Sequence, residues 1–226
     1  MKENLPQLRS RMSSAHTANT LGVTGGMGSG KTIVCGFLAE LGAEIFAADQ
    51  VARQLMEQPG DVRRSVERTF GPRSYRSDGQ LDREWLAARV FGAAEDLAKL
   101  NAIVHPAVRD AFDQVKLSCR APLLVHEAAL IYEAGLEHRL DAVAVVTAPE
   151  DVRIRRVRQR DGLTARQVLQ RMAHQLPQAE LECRADVVVD NSVGKQRLRS
   201  KALRLFELAI SARPLCRATF RNCRRL

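Results

Sequence analysis

Gly25-Gly26-Met27-Gly28-Ser29-Gly30-Lys31-Thr32 matches the pattern G-x-x-x-x-G-K-[ST] at every fixed position. Glycines let consecutive backbone amides turn inward and approach an anion closely, and a helix starting there turns its positive end to the same point. Lys31 then supplies a mobile charge for the outer phosphates of a nucleoside triphosphate, and Thr32 offers a hydroxyl to Mg2+. The predicted nucleotide ligands are Gly26, Met27, Gly28, Ser29, Gly30, Lys31 and Thr32. A glycine-rich surface turn would fit the same residues. The flanks favour the phosphate loop, because Leu21-Gly22-Val23 reads as a buried strand and Ile33 to Leu41 as a helix.

Further apolar runs lie at Ala43 to Ala47, Leu123 to Val125, Ala142 to Val146 and Asp186 to Val189. Apart from Glu44 and Asp186 at their starts they are apolar rather than alternating, which predicts an α/β fold whose parallel strands carry helices on both faces. Residues 61 to 120 are helical by period, with a turn at Tyr75 to Gly79, and too long for a simple crossover. They predict a helical lobe over the second substrate.

Asp49 follows the second run, at a strand's C-terminal end, where open α/β sheets bind ligands. It could equally cap a helix over Gln50 to Gln58. His105-Pro106 predicts the start of another helix, carrying Arg109; both a structural and a ligand-contacting role suit His105. Between the fourth and fifth runs lie Arg153, Arg155, Arg156, Arg158, Arg160, Arg166 and Arg171. Arg153, Arg156 and Arg160 share one helical face. That face is either solvated or part of a mobile lid, at about 150 to 182, that brings guanidinium groups to a transferring phosphoryl.

With 226 residues, 45% hydrophobic, and no compositional break, the chain predicts one domain over residues 20–212. Residues 1–19 are polar and lack the apolar core of a secretory signal, so they predict a disordered leader. Residues 213–226 carry Arg217, Arg221, Arg224 and Arg225 without a periodic apolar face and predict a disordered basic tail. A net charge of +9 suits nucleic acid, a membrane surface or a polyanionic small substrate. Only 4% of residues are aromatic, which argues against a single-strand binder and leaves no specific nucleic acid expected. No run of eighteen apolar residues predicts a membrane span. Cys35, Cys119, Cys183, Cys216 and Cys223 form no C-x-x-C pair and predict free thiols in a reducing, cytoplasmic setting.

Seven separated segments together resemble the dephospho-CoA kinases over about residues 20 to 210. They are TGGMGSGKT from Thr24, AADQVAR from Ala47, DGQLDR from Asp78, VHPAVRD from Val104, LIYEAGL from Leu130, RDGLTARQ from Arg160 and ADVVVDNS from Ala185. The resemblance implies a P-loop NTPase fold of the nucleoside-monophosphate-kinase type: a five-stranded parallel sheet flanked by helices, with a helical substrate lobe and a lid. It implies ATP and Mg2+, with dephospho-CoA as acceptor at its ribose 3'-hydroxyl, in a monomer or weak homo-oligomer. Carried onto this sequence, Asp49 orients or deprotonates that hydroxyl, Lys31 is the phosphate lysine, and Arg160 is the lid arginine. His105, Arg109, Tyr132 and Glu133 join Asp49 as substrate-binding residues. Two positions depart from the family pattern: Ala47 stands for an aspartate and Ala129 for a proline. Another small-molecule kinase of this fold, or a noncatalytic nucleotide-binding relative, remains an alternative; no N-K-x-D segment supports a GTPase.

Overall fold

Strands β1 (Asn19–Thr24), β2 (Glu44–Ala47), β3 (Leu123–Glu127), β4 (Ala142–Thr147) and β5 (Val187–Asp190) form one parallel sheet in the order β2-β3-β1-β4-β5. The computed structural model describes residues 18–192, 194–211, 215 and 217–226. Alternate residues of one strand face opposite layers: Leu123 and Val125 pack on one side, Leu124 on the other. Ala142, Ala144 and Val146 likewise oppose Val143 and Val145. Both layers are covered, and so the runs are apolar without alternation.

Helices α1 (Lys31–Glu40), α2 (Ala48–Glu57), α3 (Asp61–Phe70), α4 (Arg83–Gly92) and α5 (Ala94–Ser118) precede β3. Helices α6 (Glu150–Asp161), α7 (Ala165–Met172) and α8 (Gln178–Arg184) join β4 to β5, and α9 (Gly194–Ser211) follows. On the first face Val34, Phe37 and Leu38 of α1 and Leu198, Ala202 and Leu205 of α9 bury against the sheet. On the second, Val104, Val108 and Phe112 of α5 meet Phe46, Leu124 and Val143. The lobe has its own apolar cluster of Val66, Phe70, Tyr75, Leu81, Leu86 and Val90, which holds α3 and α4 together.

Three expectations are corrected. Pro106 lies inside α5 and does not begin a helix. It cannot donate to the carbonyl four residues back, but Val104, Val108 and Phe112 anchor both halves of the helix on the sheet, and packing outweighs one lost bond. Ala18 and Asn19 do not belong to a disordered leader, for Ala18 is buried and Asn19 opens β1, its carboxamide donating to Ala209 and accepting from the Leu215 amide; the rest of the expected leader, residues 1–17, lies outside the described residues.

The described part of the tail is ordered against the sheet. Leu215 and Phe220 are buried, and Arg217–Cys223 forms a 3-10 helix. The Val188 amide donates to Arg224 at 2.7 Å, and the Leu226 amide donates back to Val188 at 2.9 Å. A β5 edge left unpaired would expose backbone groups; two apolar anchors suffice to lay the chain along it, with no helical periodicity needed. Among the described residues no helix is long and apolar enough to cross a membrane. Cys35, Cys119, Cys183 and Cys223 are free thiols, and Cys216 lies outside the described residues.

Candidate active site

In the sheet, Val23 of β1 and Ala47 of β2 are both in register with Glu127 of β3, so three adjacent strands end at one place. The loop after β1 needs its glycines. Gly25 has φ 144°, and a Cβ there would overlap the Val146 carbonyl oxygen. Gly30, at φ 99°, is the N-cap of α1 and touches the Asn191 carboxamide. Helix α1 has no side-chain cap, which leaves its first amides for an anion.

The loop is held from behind by the opposite end of the chain. Asn191 Nδ2 donates to the Ser29 carbonyl at 2.7 Å. The Met27 amide donates to Gln175 Oε1 at 2.8 Å. Arg156 donates to the Gly28 carbonyl at 3.4 Å and to that of Asn191 at 3.1 Å. Buried Arg153 lies against Gly26 while its Nε donates to the Ala148 carbonyl at 3.1 Å.

Lys31 Nζ donates to the Gly25 carbonyl at 2.7 Å. Burial lowers its pKa below the ordinary lysine value, against the opposing pull of Asp49 and then Glu127. A half-buried ammonium within electrostatic reach of two carboxylates therefore sits at the phosphate loop. Thr32 Oγ1 donates to Glu127 Oε1 at 2.8 Å. This hydroxyl and carboxylate are hard oxygen donors suited to a cation that draws its other ligands from phosphate and water. Among the described residues no cluster of three His, Cys, Asp or Glu could hold a metal by itself.

Asp49, exposed in the first turn of α2, opens onto a cavity of about 250 Å³ between the sheet and the lobe. Helix α2 is capped at Ala47, so Asp49 does not serve as its N-cap. His105, Arg109 and His126 line the same cavity, among Ala52, Met56, Val104, Val108 and Ala128. Burial, and then the Arg109 charge, lowers the His105 pKa. Burial alone brings the His126 pKa down to about 4. The unfolded chain therefore takes up this proton first as pH falls, so the folded state loses stability between about pH 6.5 and 4. That loss is at most about 1.4 kcal/mol per pH unit. Urea unfolding across this range should show the acid-side decline in the native protein, and His126→Leu should lack this one-proton part of it.

The family model described as dephospho-CoA kinase matches residues 19–196. A dephospho-CoA kinase of Salinibacter ruber is 50% identical over 190 residues, covering 83% of this chain and 96% of its relative. One from Chlorobaculum tepidum is 41% identical over 194 residues, with coverages of 83% and 93%. A solved structure from Thermus thermophilus superposes with TM-score 0.76 at 35% identity, covering 83% of this chain and 95% of that one. The chain belongs to the dephospho-CoA kinase family. The dephospho-CoA kinase of Campylobacter jejuni, at 22% identity and TM-score 0.63, shares the fold.

Within this dephospho-CoA kinase framework the predicted site residues divide into two groups. Lys31, Thr32, Asp49, His105 and Arg109 converge on the loop and cavity. Tyr132 and Glu133 do not line the cavity. Tyr132 is buried beneath the Arg184 guanidinium, 4.4 Å from its ring centre, and Glu133 accepts from the Leu176 amide at 2.9 Å. Both face the segment between α7 and β5, because the turn after β3 carries them past the cavity. Arg160 is exposed and pairs with Asp161 at 2.7 Å, and its charge still reaches Lys31. The start of the expected lid lies against the loop, since Arg156 of α6 donates to the Gly28 carbonyl and Arg153 packs against Gly26 with its Nε on the Ala148 carbonyl.

Glu127, His126, Gln175 and Asn191 complete the site without having been singled out from sequence. Glu127 carries the same signal as Asp49, a carboxylate ending an apolar run. Ala47, where the family pattern has aspartate, stands in register with Glu127, so β2 sets no carboxylate directly beside Glu127.

Proposed function

We propose that the chain transfers the γ-phosphoryl group of ATP to the ribose 3'-hydroxyl of dephospho-CoA, giving coenzyme A and ADP. One observation carries this reading: Lys31, the Thr32–Glu127 pair and Asp49 meet at three adjacent strand ends, beside a cavity between sheet and lobe, in a dephospho-CoA kinase family member. The loop amides and Lys31 hold the β- and γ-phosphates. Asp49 accepts the proton of the 3'-hydroxyl as its oxygen bonds to the γ-phosphorus. The bond from that phosphorus to the β-bridging oxygen breaks, and ADP leaves. Thr32 and Glu127 would hold Mg2+, which would supply positive charge to offset that of the phosphates. Arg160 swings from Asp161 onto the phosphates, and the helical lobe at about 61–120 covers the acceptor.

ADP release from ATP and Mg2+, with and without dephospho-CoA, tests the reaction, with adenosine and AMP as control acceptors. Release that depends on dephospho-CoA supports it; acceptor-independent or absent release despite ATP binding refutes it. Glu127→Gln should raise the Mg2+ concentration for half-maximal turnover by about tenfold or more. An unchanged Mg2+ requirement would remove Glu127 from the cation site.

A further inference from the structure

His126 is a buried polar group in the acceptor cavity that the phosphoryl-transfer machinery does not use. It is 3% exposed, and neither ring nitrogen has a hydrogen-bond partner among the described residues. Phe46 and Phe112 flank the ring at centroid distances of 5.2 and 4.6 Å. The aromatic neighbours offer the nitrogens nothing to bond. A neutral imidazole presents one N–H donor and one lone pair. Leaving both unmade in a protein interior is unfavourable, and such groups are rare unless something outside the fold completes them.

The remaining cavity wall says what kind of group would do so. Ala52, Met56, Leu100, Val104, Val108 and Ala128 supply apolar surface. The charged residues lining this cavity are Asp49 and Arg109, both exposed, and Arg139 lines a small pocket on the other side of His126. An apolar pocket with one neutral donor and acceptor suits a flat heterocycle with polar edges. It does not suit a diphosphate, which wants several cations. A second, larger cleft of about 840 Å³, lined by Met27, Ala87, Gln167, Gln170 and Arg171, adjoins the cavity at Leu130 and offers the long anionic arm an open route.

We propose that His126 is the base-recognising residue of the acceptor site. One of its ring nitrogens hydrogen-bonds the edge of the acceptor's purine, seated in the cavity, while the diphosphate arm leaves through the adjoining cleft. This rests on the reading of the chain as a dephospho-CoA kinase. Asp49, at the cavity mouth, then meets the ribose that joins the two parts.

The test uses full-length protein labelled with 15N-histidine, its ATP site filled by a non-hydrolysable ATP analogue, and the His126 signals assigned by their loss in His126→Leu. Adenosine should shift a His126 nitrogen, and phosphopantetheine should not. His126→Leu should raise the KM for dephospho-CoA by about tenfold, the size of one missing buried hydrogen bond, with the KM for ATP within about twofold. His126→Gln, which keeps a donor and an acceptor, should restore most of that loss. A merely structural histidine would move kcat and the ATP KM together and show no response to adenosine. No shift with adenosine, a shift with phosphopantetheine instead, or an unchanged dephospho-CoA KM in both variants would overturn the proposal. Absent turnover of dephospho-CoA by the native protein would count against the kinase reading instead, since the adenosine shift does not depend on catalysis.

Discussion

Lys31→Met is expected to lower kcat/KM by about a thousandfold, a loss at the upper end for removing one preorganised positive group from a phosphoryl or oxyanion site. Methionine keeps most of the stem and the loop's packing, so the loss isolates the ammonium. That ammonium is worth more here than on the surface. It is half-buried, desolvation lowers its pKa, and Asp49 and then Glu127 oppose that shift. Its bond to the Gly25 carbonyl sets it at the loop before nucleotide arrives, so little reorganisation remains. Lys31→Arg should not rescue activity, because the planar guanidinium does not fit where a compact point charge sits. Steady-state kinetics with a separate ATP-binding measurement checks both. A Lys31→Met enzyme within tenfold of native would mean that Lys31 serves the loop's structure rather than the phosphates.

The phosphate loop was legible because everything it needs is local: a strand, a glycine pattern and a helix in one short stretch. The strands were legible because burial on both faces leaves unbroken apolar runs. Neighbours across the sheet were not. Glu127 and Asp49 carry the same signal, yet only the order β2-β3-β1 brings both to Lys31, and nothing within either run states that order. The sequence left the arginines of α6 as either a solvated face or one turned to substrate, and it did not show what Arg153 and Arg156 bond to. Arg156 spends donors on the Gly28 and Asn191 carbonyls, and buried Arg153 donates to the Ala148 carbonyl while packing against Gly26.

Tyr132 and Glu133 teach the same point from the other side. Their motif was recognisable, but a residue's side of the site depends on where the turn after β3 sends the chain. Here it sends them to Arg184 and Leu176. Pro106 and the tail were misread for a shared reason: local rules assign a helix break and a disordered end, whereas buried Val104 and Val108 in one case, and Phe220 in the other, are satisfied by distant partners.

Asp49→Asn should reduce turnover by about a hundredfold or more while leaving ATP affinity nearly unchanged. Asparagine preserves size and can still accept a hydrogen bond from the acceptor hydroxyl, but it cannot take the proton as that oxygen attacks. The substitution therefore separates deprotonation from orientation. Asp49 is exposed in the first turn of α2, at the cavity mouth and within electrostatic reach of Lys31, so a carboxylate there faces the acceptor and the phosphate lysine together. Losing its charge also withdraws the largest opposing influence on the Lys31 pKa, which should drop further below the lysine norm. Ala47 sharpens the test. With no second carboxylate at that strand end, none replaces Asp49 from β2, and the remaining carboxylate, Glu127, is engaged with Thr32. A hundredfold fall in kcat with an unchanged ATP dissociation constant is the result expected from pre-steady-state phosphoryl transfer. Turnover within tenfold of native would assign Asp49 to orientation alone and leave the proton to solvent.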